Sequence, residues 1–414
     1  MIVFKFGGAS IKNSEAIRNM CSIINNYSSE KLLVVVSAMG KTTNALESLL
    51  AKKRKNEPLD KDFEEIRNYH LEVCNELFDE PDEVVNKLNS IFKELENALN
   101  LEVDYDQHYD QVVSKGELLS STIVSSHLKA CGINATWIDS RDYIKTDDNF
   151  RAAYVDWEKS EKLIQNLNPV LNNYIVLTQG FIGMTDQGMT TTLGREGSDY
   201  SAAIFASCLG AKSLTVWKDV PGILNADPKL IENAMLFDQL PYIEAAEMTY
   251  YGASVIHPKT IKPLANKKIP LYVRSFDHPD QPGTVIHECA KDTLASSTII
   301  MNNQCLVSFK VIDYTFINEE NLSLIFRELA GLDIKINIMQ NSAISFSIVI
   351  DFRADKVEQL ISTMKDHFDI RYNTGLTLVT IKNYQPLQIE NYKKDKKILL
   401  EQISRNNYRA LISN

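Results

Sequence analysis

The sequence contains no Walker motif, the Gly-x4-Gly-Lys-Ser/Thr pattern of the usual phosphate-binding loop. It also lacks any Cys-x-x-Cys pair: its six cysteines are dispersed, and no histidine stands at a matching zinc-site spacing. These absences argue against a P-loop of the common kind and against a zinc ribbon. We therefore expect the cysteines to be small core residues in a reducing compartment.

Long apolar runs are missing as well. No stretch approaches the roughly 20 residues that span a bilayer, and Met1 leads directly into an apolar segment, which leaves no room for a signal peptide. Acidic residues outnumber basic ones by 54 to 44, for a formal net charge of −10. Such a chain gains little from nucleic acid or an anionic membrane, so we expect neither as a partner and expect a cytoplasmic location.

The first informative motif lies at the N-terminus, where an apolar segment is followed by Lys5-Phe6-Gly7-Gly8-Ala9-Ser10. Two glycines after a strand bring bare backbone amides beside the lysine, and Ser10 is placed to cap a helix predicted over 14–26. Free amides at a helix N-terminus attract phosphate. An ordinary tight strand-to-helix turn has the same features, so this segment alone leaves both interpretations open.

A second turn of this kind lies in the middle of the chain. Gly194 and Gly197 free the backbone, and Ser198 is a natural N-cap for a helix over the apolar run that follows. Arg195 carries a planar fork of donors suited to a carboxylate or a phosphate. Two such turns at strand ends could hold two anions facing each other. The alternative is an ordinary surface ion pair between Arg195 and Asp199.

At these two segments the chain resembles the aspartokinases of the amino-acid kinase superfamily. The matching residues are Lys-Phe-Gly-Gly-x-Ser at 5–10 and Gly-Arg-x-Gly-Ser-Asp-Tyr at 194–200. Other segments match in the order of the family: 36–40, 116–120, 178–183, 217–223, 252–258 and 273–276. The resemblance is dense from residue 1 to about residue 286 and looser beyond it. Each segment alone is modest evidence, but their number and order make a chance match improbable.

The resemblance implies a three-layer α/β/α amino-acid kinase fold with a C-terminal ferredoxin-like (ACT) α+β regulatory domain. The sequence pattern agrees, because short apolar strands alternate with helices up to about residue 290 and a β-α-β-β-α-β order follows. We expect the catalytic domain over 1–288, with a helical subdomain at about 58–130, and the ACT domain over 300–382. A truncated second ACT-like segment, without its helices, is expected over 383–414.

An aspartokinase transfers the γ-phosphoryl group of ATP to the side-chain carboxylate of L-aspartate, giving 4-phospho-L-aspartate in the first step towards lysine, threonine and methionine. That carboxylate is already ionised at neutral pH, so the reaction needs positioning and charge neutralisation rather than a general base. The resemblance implies that Lys5 meets the transferring phosphoryl group and that Asp199 orients Lys5. Gly7, Gly8 and Ser10 would supply amides to the phosphates.

The same resemblance places the amino acid against the second turn. Arg195 would hold its α-carboxylate and Glu117 its α-ammonium, which distinguishes an amino acid from a plain dicarboxylic acid. Ser37, Thr43 and Ser198 would be neighbouring hydroxyl and amide groups. Without the resemblance, Glu117 would be interpreted as a solvated residue near a helix start.

The nucleotide is expected along 217–222 and the turns around it. The ATP-binding residues that the resemblance implies there are Lys218, Asp219, Leu224, Lys229 and Ser254. Two positions depart from the family pattern, since many relatives have tyrosine at 224 and lysine at 254. Mg²⁺ is expected from phosphoryl-transfer chemistry, but no metal ligand is assigned, because magnesium often needs only phosphates and waters.

Two other functions remain open on the sequence. One is a related kinase of the superfamily with a different acceptor, which the ACT region and the pair Arg195 and Glu117 disfavour. The other is a non-catalytic subunit that senses an amino acid through its ACT domain, which the residues at 224 and 254 suggest. We expect L-aspartate and ATP as ligands and a homodimer paired through the ACT domains.

Overall fold

The strands near the N-terminus consist almost entirely of apolar residues. Ile2–Phe6 and Leu32–Val36 are buried along nearly their whole length, as parallel strands are when helices cover both faces of their sheet. The structure is a computed structural model that describes residues 1–253, 256–290, 295–312, 315–394 and 396–413. Within these ranges the chain forms two units. The first is Met1–Ile223, Leu236–Thr249 and Ser254–Lys291, and the second is Leu224–Met235, Tyr250–Ala253 and Asp292–Asn414.

An eight-stranded sheet forms the centre of the first unit. The strands of this unit are β1 (Ile2–Phe6), β2 (Leu32–Val36), β3 (Ala135–Ile138), β4 (Ile175–Gln179), β5 (Ile182–Met184), β6 (Thr190–Thr192), β7 (Leu214–Lys218), β8 (Gln239–Pro241), β9 (Leu271–Ser275) and β10 (Thr284–His287). The order in the sheet is β3-β4-β2-β1-β7-β9-β10-β8, and β5 pairs with β6 in a separate hairpin. Every pair from β3 to β9 is parallel, whereas β10 runs antiparallel to β9.

Helices cover this sheet. They are α1 (Ser14–Asn25), α2 (Thr42–Arg54), α3 (Asp60–Leu77), α4 (Asp82–Leu99), α5 (Tyr105–Val113), α6 (Lys115–Ala130), α7 (Ser140–Tyr143), α8 (Trp157–Gln165), α9 (Gly197–Cys208), α10 (Tyr242–Tyr250) and α11 (Pro258–Asn266). Residues of α1 and α6 share one core with Phe4, Phe6, Val34 and Val36, and α9 contacts β1, β2 and β7. The predicted three-layer α/β/α fold is confirmed. No helix in the described ranges is both long and apolar enough to cross a bilayer.

The second unit is built on a six-stranded antiparallel sheet. Its elements are β11 (Ser297–Val311), α12 (Glu319–Gly331), β12 (Ile336–Asn341), β13 (Ser345–Asp351), α13 (Ala354–Met364), β14 (Phe368–Lys382), α14 (Pro386–Lys393), β15 (Lys397–Ile403) and β16 (Asn407–Ser413). The run from β11 to β14 has the β-α-β-β-α-β order, and the four strands lie side by side as β12-β13-β11-β14. The ferredoxin-like arrangement predicted for the C-terminal part is therefore confirmed.

Two details of this region differ from the sequence prediction. The apolar pattern of the sequence predicts two closing strands, at 370–372 and 376–381, but the structure has one strand, β14, whose register against β11 shifts where Gln304 pairs with Leu376. The last segment, expected to lack helices, contains α14, which starts at Pro386 and has a capping box between Gln385 and Gln388. The hairpin of β15 and β16 then extends the same sheet beside β14. The predicted domain boundaries stay predictions.

Candidate active site

The carboxyl ends of β4, β2, β1 and β7 lie side by side in the first unit. Open α/β sheets bind their ligands at this edge, because the turns that follow the strands converge there. Lys5 pairs in register with Val35 of β2 and Val216 of β7, and Lys218 is the last residue of β7. The candidate site is therefore this edge of the sheet.

One aspartate at this edge joins two lysines. Asp199 Oδ1 lies 2.5 Å from Lys5 Nζ, and Asp199 Oδ2 lies 3.3 Å from Lys218 Nζ. Asp199 and Lys5 are only 2% and 7% exposed. Burial alone would raise the pKa of the Asp199 carboxyl, but the charges of Lys5 and Lys218 outweigh it and hold the pKa below its ordinary value. Asp199 thus stays ionised and fixes the position of the Lys5 ammonium.

The two glycines after β1 differ in how much room the structure leaves for a side chain. Gly8 approaches the turn after β2 so closely that a Cβ there would lie 2.8 Å from the carbonyl oxygens of Ala38 and Gly40. A Cβ on Gly7 would meet only Lys5 Nζ, at 3.6 Å, and the φ angle of Gly7 is −75°, which any residue adopts. Gly8 is therefore required by packing, whereas Gly7 has room for a Cβ, which would lie beside the Lys5 ammonium.

Ser10 does not cap the following helix, contrary to the prediction. Helix α1 begins at Ser14, and its cap is Asn13, whose Oδ1 accepts a hydrogen bond from the Ala16 N–H. Ser10 lies in a 3-10 helix over Gly8–Ile11; its N–H donates to the Gly7 carbonyl at 3.0 Å and its hydroxyl to the Trp217 carbonyl at 3.3 Å. Both donors of Ser10 therefore serve the protein, and its contact with a phosphate stays a prediction.

Glu117 is buried in the first turn of α6, not solvated. Its Oε1 accepts a hydrogen bond from the Ala38 N–H at 3.3 Å, and its Oε2 has no hydrogen-bond partner among the residues that the structure describes. Burial raises the pKa of this carboxyl to about 8, even though the Ala38 N–H and the charge of Lys5 act in the opposite direction. A buried acceptor without a partner is unfavourable, so Glu117 is suited to a cationic ligand.

The turn before α9 is formed by Glu196 rather than by Ser198. Glu196 is the N-cap, with a left-handed backbone (φ 53°, ψ 30°), and Ser198 lies one residue inside the helix. The prediction of Ser198 as N-cap is therefore wrong. Glu196 Oε2 is buried without a partner in the described ranges, and burial raises the pKa of this carboxyl although Lys218 opposes the shift. Arg195, by contrast, is exposed, and no described carboxylate forms an ion pair with it.

A residue that the sequence analysis missed anchors the hairpin leading into this turn. Asp110 of α5 is fully buried and accepts hydrogen bonds from the N–H and the hydroxyl of Thr192 at 2.8 and 2.6 Å and from the Arg151 N–H at 3.0 Å. The Arg151 carbonyl in turn lies against Gly194, whose φ angle is +79°. Because these partners are 41 and 82 positions away along the chain, no local pattern reveals this role.

The remaining predicted substrate residues lie on the same edge. Ser37 follows β2; its N–H donates to the Phe6 carbonyl at 3.2 Å, and its own carbonyl accepts from the Ser120 hydroxyl at 2.6 Å. Thr43 is half-buried in the first turn of α2. Both residues follow the carboxyl end of β2, and their contacts with a substrate stay predictions.

The predicted nucleotide residues that the structure describes are divided between the two units. Lys218 lies against Asp199, and Asp219 is exposed directly after β7. Leu224 and the exposed Lys229 belong to the second unit, and Ser254 lies outside the described residues. Trp217 is fully buried and stacks on Phe6, with ring centroids 6.0 Å apart.

Known proteins are similar to this chain in sequence and in fold. The model of the amino acid kinase family matches residues 1–275. Lysine-sensitive aspartokinase 3 of Escherichia coli (strain K12) is 32% identical over 362 residues, which cover 85% of this chain and 78% of that protein. The chloroplastic bifunctional aspartokinase/homoserine dehydrogenase 2 of Arabidopsis thaliana is 34% identical over 302 residues, 70% of this chain and 32% of that protein.

A solved structure agrees over the full length. The crystal structure of E. coli aspartokinase III in complex with aspartate and ADP superposes with a TM-score of 0.86 at 27% identity, covering 100% of this chain and 96% of that chain. The chain belongs to the amino acid kinase family and, within it, to the aspartokinases, as the sequence analysis expected. It spans about a third of the length of the plant bifunctional relative.

Proposed function

We propose that this chain is an aspartate kinase, which transfers the γ-phosphoryl group of ATP to the side-chain carboxylate of L-aspartate. One observation carries the proposal: a buried carboxylate oxygen without a partner, on Glu117, lies at the same sheet edge as a lysine pair held by Asp199. The carboxylate suits the ammonium of a free amino acid, and the lysines suit phosphates. The E. coli relative crystallised with aspartate and ADP supports both ligands.

In this proposal the chain contributes charge and position rather than proton transfer. Lys5 neutralises the repulsion between the attacking carboxylate and the phosphoryl group, and Asp199 fixes the ammonium in place. The bare backbone at Gly7 lets a phosphate reach that ammonium. Glu117 holds the substrate ammonium, and the exposed Arg195 turns towards the substrate α-carboxylate when it binds.

Mg²⁺ enters this scheme with the nucleotide. Both oxygens of Asp199 face lysines, so this carboxylate is poorly suited to a dedicated magnesium cage. The residues therefore fit an ion held by phosphates and waters, which neutralises charge on the phosphoryl group when bound. Lys218, Asp219, Leu224, Lys229 and Ser254 remain the proposed nucleotide contacts.

The proposal also covers the cellular compartment and the partners of the enzyme. All six cysteines are free thiols, which supports a reducing compartment such as the cytoplasm. The strands β12 and β15 are the outer strands of the six-stranded sheet, and such edges pair readily with another chain, which supports a homodimer through the second unit. We propose no nucleic-acid or membrane partner, because the net charge of −10 disfavours both.

A direct assay tests the activity. Purified protein incubated with Mg-ATP and L-aspartate should give an acyl phosphate that hydroxylamine traps, whereas L-glutamate should give none. Lys5→Ala should abolish the product while L-aspartate still binds, as measured by calorimetry. If the protein makes no product with aspartate at any ATP concentration, it is not an aspartate kinase. If such an inactive protein still binds an amino acid, it would instead be the regulatory subunit.

A further inference from the structure

Three metal-binding side chains meet between α1 and α6 of the first unit. Cys21 comes from α1, His127 from the last turn of α6 and Cys131 from the residue that ends α6. Their ligand atoms all lie within 4.8 Å of one another. Cys21 and His127 are buried, whereas Cys131 is exposed and gives access from solvent. No local sequence pattern reveals this cluster, because Cys21 is remote along the chain from His127 and Cys131.

We propose that Cys21, His127 and Cys131 bind a divalent cation of the zinc type, with the fourth position open to a water molecule. Two cysteines and one histidine are ligands that Zn²⁺ prefers, and two thiolates with a neutral imidazole balance its charge. Binding displaces the two thiol protons to solvent, so no other reactant is needed.

The spacing of the atoms fits this site. Zinc bonds of about 2.3 Å to sulfur and about 2.0 Å to nitrogen place neighbouring tetrahedral ligands roughly 3.5 Å apart. Cys131 Sγ lies 3.4 Å from His127 Nε2. The same distance also suits a simple thiol–imidazole hydrogen bond. The third side chain favours the metal site over the hydrogen bond, because Cys21 Sγ lies within 4.8 Å of both other atoms and a hydrogen bond between Cys131 and His127 does not require it there.

The surroundings of the cluster favour a structural role rather than a catalytic one. Cys131 lies 14 residues after Glu117 along α6, which at 1.5 Å per residue corresponds to about 20 Å. The Phe78 ring packs edge-on against His127, and Arg18 is the nearby charged group that opposes a cation. A bound ion would connect α1 to α6. Helix α1 follows the 3-10 helix of Gly8–Ile11, and the first turn of α6 carries Glu117.

Cobalt binding to the full-length protein tests this site. The protein, reduced and freed of metal by a chelator, is titrated with Co²⁺ under anaerobic conditions, and the thiolate-to-cobalt charge-transfer absorption is recorded. We expect saturation at one equivalent, displacement by Zn²⁺ and a higher melting temperature with Zn²⁺ present. The exposed Cys131→Ser variant should lose the absorption and the thermal shift, and Cys289→Ser, with a cysteine outside the cluster, should retain both.

Two results would overturn the proposal. One is an absorption that persists in Cys131→Ser, which would place the ion elsewhere. The other is no cobalt band in the unmodified protein, whether the thiols stay free or the chain loses the mass of two hydrogens through a bond between Cys21 and Cys131. Circular dichroism of Cys131→Ser verifies that the variant is folded, and His127→Gln provides a second variant with the same expected losses.

Discussion

The neighbouring glycines Gly7 and Gly8 separate a functional requirement from a structural one. A methyl group at Gly7 fits the backbone but lies 3.6 Å from Lys5 Nζ, where a phosphate must approach. We expect Gly7→Ala to leave stability unchanged or to raise it by about 0.5 kcal/mol, because it restricts the unfolded chain. We expect kcat/KM for ATP to fall roughly tenfold or more, since phosphate contacts tolerate little displacement.

Gly8→Ala is the matched control for that variant. Its Cβ would lie 2.8 Å from two backbone carbonyl oxygens, which cannot rotate away, so we expect a loss of about 1 to 3 kcal/mol in the free energy of unfolding. Urea denaturation and steady-state kinetics on both variants measure the two effects. Equal losses of stability in the two variants, or a fully active Gly7→Ala, would contradict the distinction.

The raised pKa of Glu117 predicts that aspartate binding releases a proton. With a pKa of about 8 in the free chain, this carboxyl is mostly protonated at pH 7, and it must ionise to pair with the substrate ammonium. Affinity for L-aspartate should therefore rise with pH, by up to about tenfold per unit below pH 8, and level off above it. The carboxylates and the ammonium of aspartate itself do not titrate between pH 6 and 8.

Calorimetry in buffers of different ionisation enthalpy measures this proton directly. We expect close to one proton released for each aspartate bound at pH 7 and less at pH 9. Glu117→Gln should bind aspartate weakly, with no linked proton, and should discriminate less against succinate, which has no ammonium. If the unmodified protein releases no proton at pH 7, then Glu117 is either already ionised or not the ammonium site.

Among the elements, the hairpin of β5 and β6 depends on Asp110 of α5. This carboxylate satisfies the N–H groups of Thr192 and Arg151, which lead into the Gly194 turn. Asp110→Ala removes the partner of the buried Thr192 N–H and of the partly buried Arg151 N–H, and a buried unpaired donor costs about 1 to 3 kcal/mol. We expect a loss of about 2 to 5 kcal/mol in stability on that basis and a higher KM for aspartate, with kcat less affected.

Asp110→Asn is the control, because its amide oxygen can accept both N–H groups while its NH₂ donates to the Thr192 hydroxyl. Thermal melting and KM measurements on both variants test the role. The asparagine variant should stay within about 1 kcal/mol of the natural protein, because an amide of the same shape keeps these buried hydrogen bonds. An unchanged KM in Asp110→Ala would mean that the hairpin does not position the substrate turn.

Sequence periodicity predicted which residues of a helix are buried, but the sequence did not predict which residues cap the helices. Apolar residues recur at helical spacing from Val84 to Leu99, and nearly all of them are buried in α4, because helical spacing decides which residues meet the core. The caps at Ser10 and Ser198 were wrong, since a 3-10 helix intervenes in one case and Glu196 adopts a left-handed conformation in the other. At Ser10, the long-range hydrogen bond to the Trp217 carbonyl overrides the local capping preference.

At the scale of the whole molecule, the boundary between the units does not follow chain order. The sequence indicated one change of secondary-structure pattern, at about residue 290, but two earlier segments, 224–235 and 250–253, belong to the second unit. Asn225 accepts a hydrogen bond from the Thr298 N–H at 2.7 Å, and Arg409 lies over the ring of Tyr251, 4.8 Å from its centre. A single sequence shows no sign of such pairings, because each partner is distant along the chain.

This interleaving predicts that the first unit is not independent of the second. In a fragment of residues 1–290, the segments 224–235 and 250–253 lose their partners, among them the Ser296 carbonyl that accepts from the Asn225 side chain at 3.1 Å. We expect this fragment to melt at a lower temperature than the full-length chain and to lose most of its kinase activity.

Within the full-length chain, Tyr251→Ala should weaken the attachment of the segment 250–253 to the second unit, because Tyr251 contacts Arg409, Lys382 and Asn407. Tyr251→Phe is the control, because it keeps the ring over both cations. Calorimetric melting and the hydroxylamine assay test all three proteins. A fragment of residues 1–290 as stable and as active as the full-length chain would show that the two segments contribute nothing to the first unit.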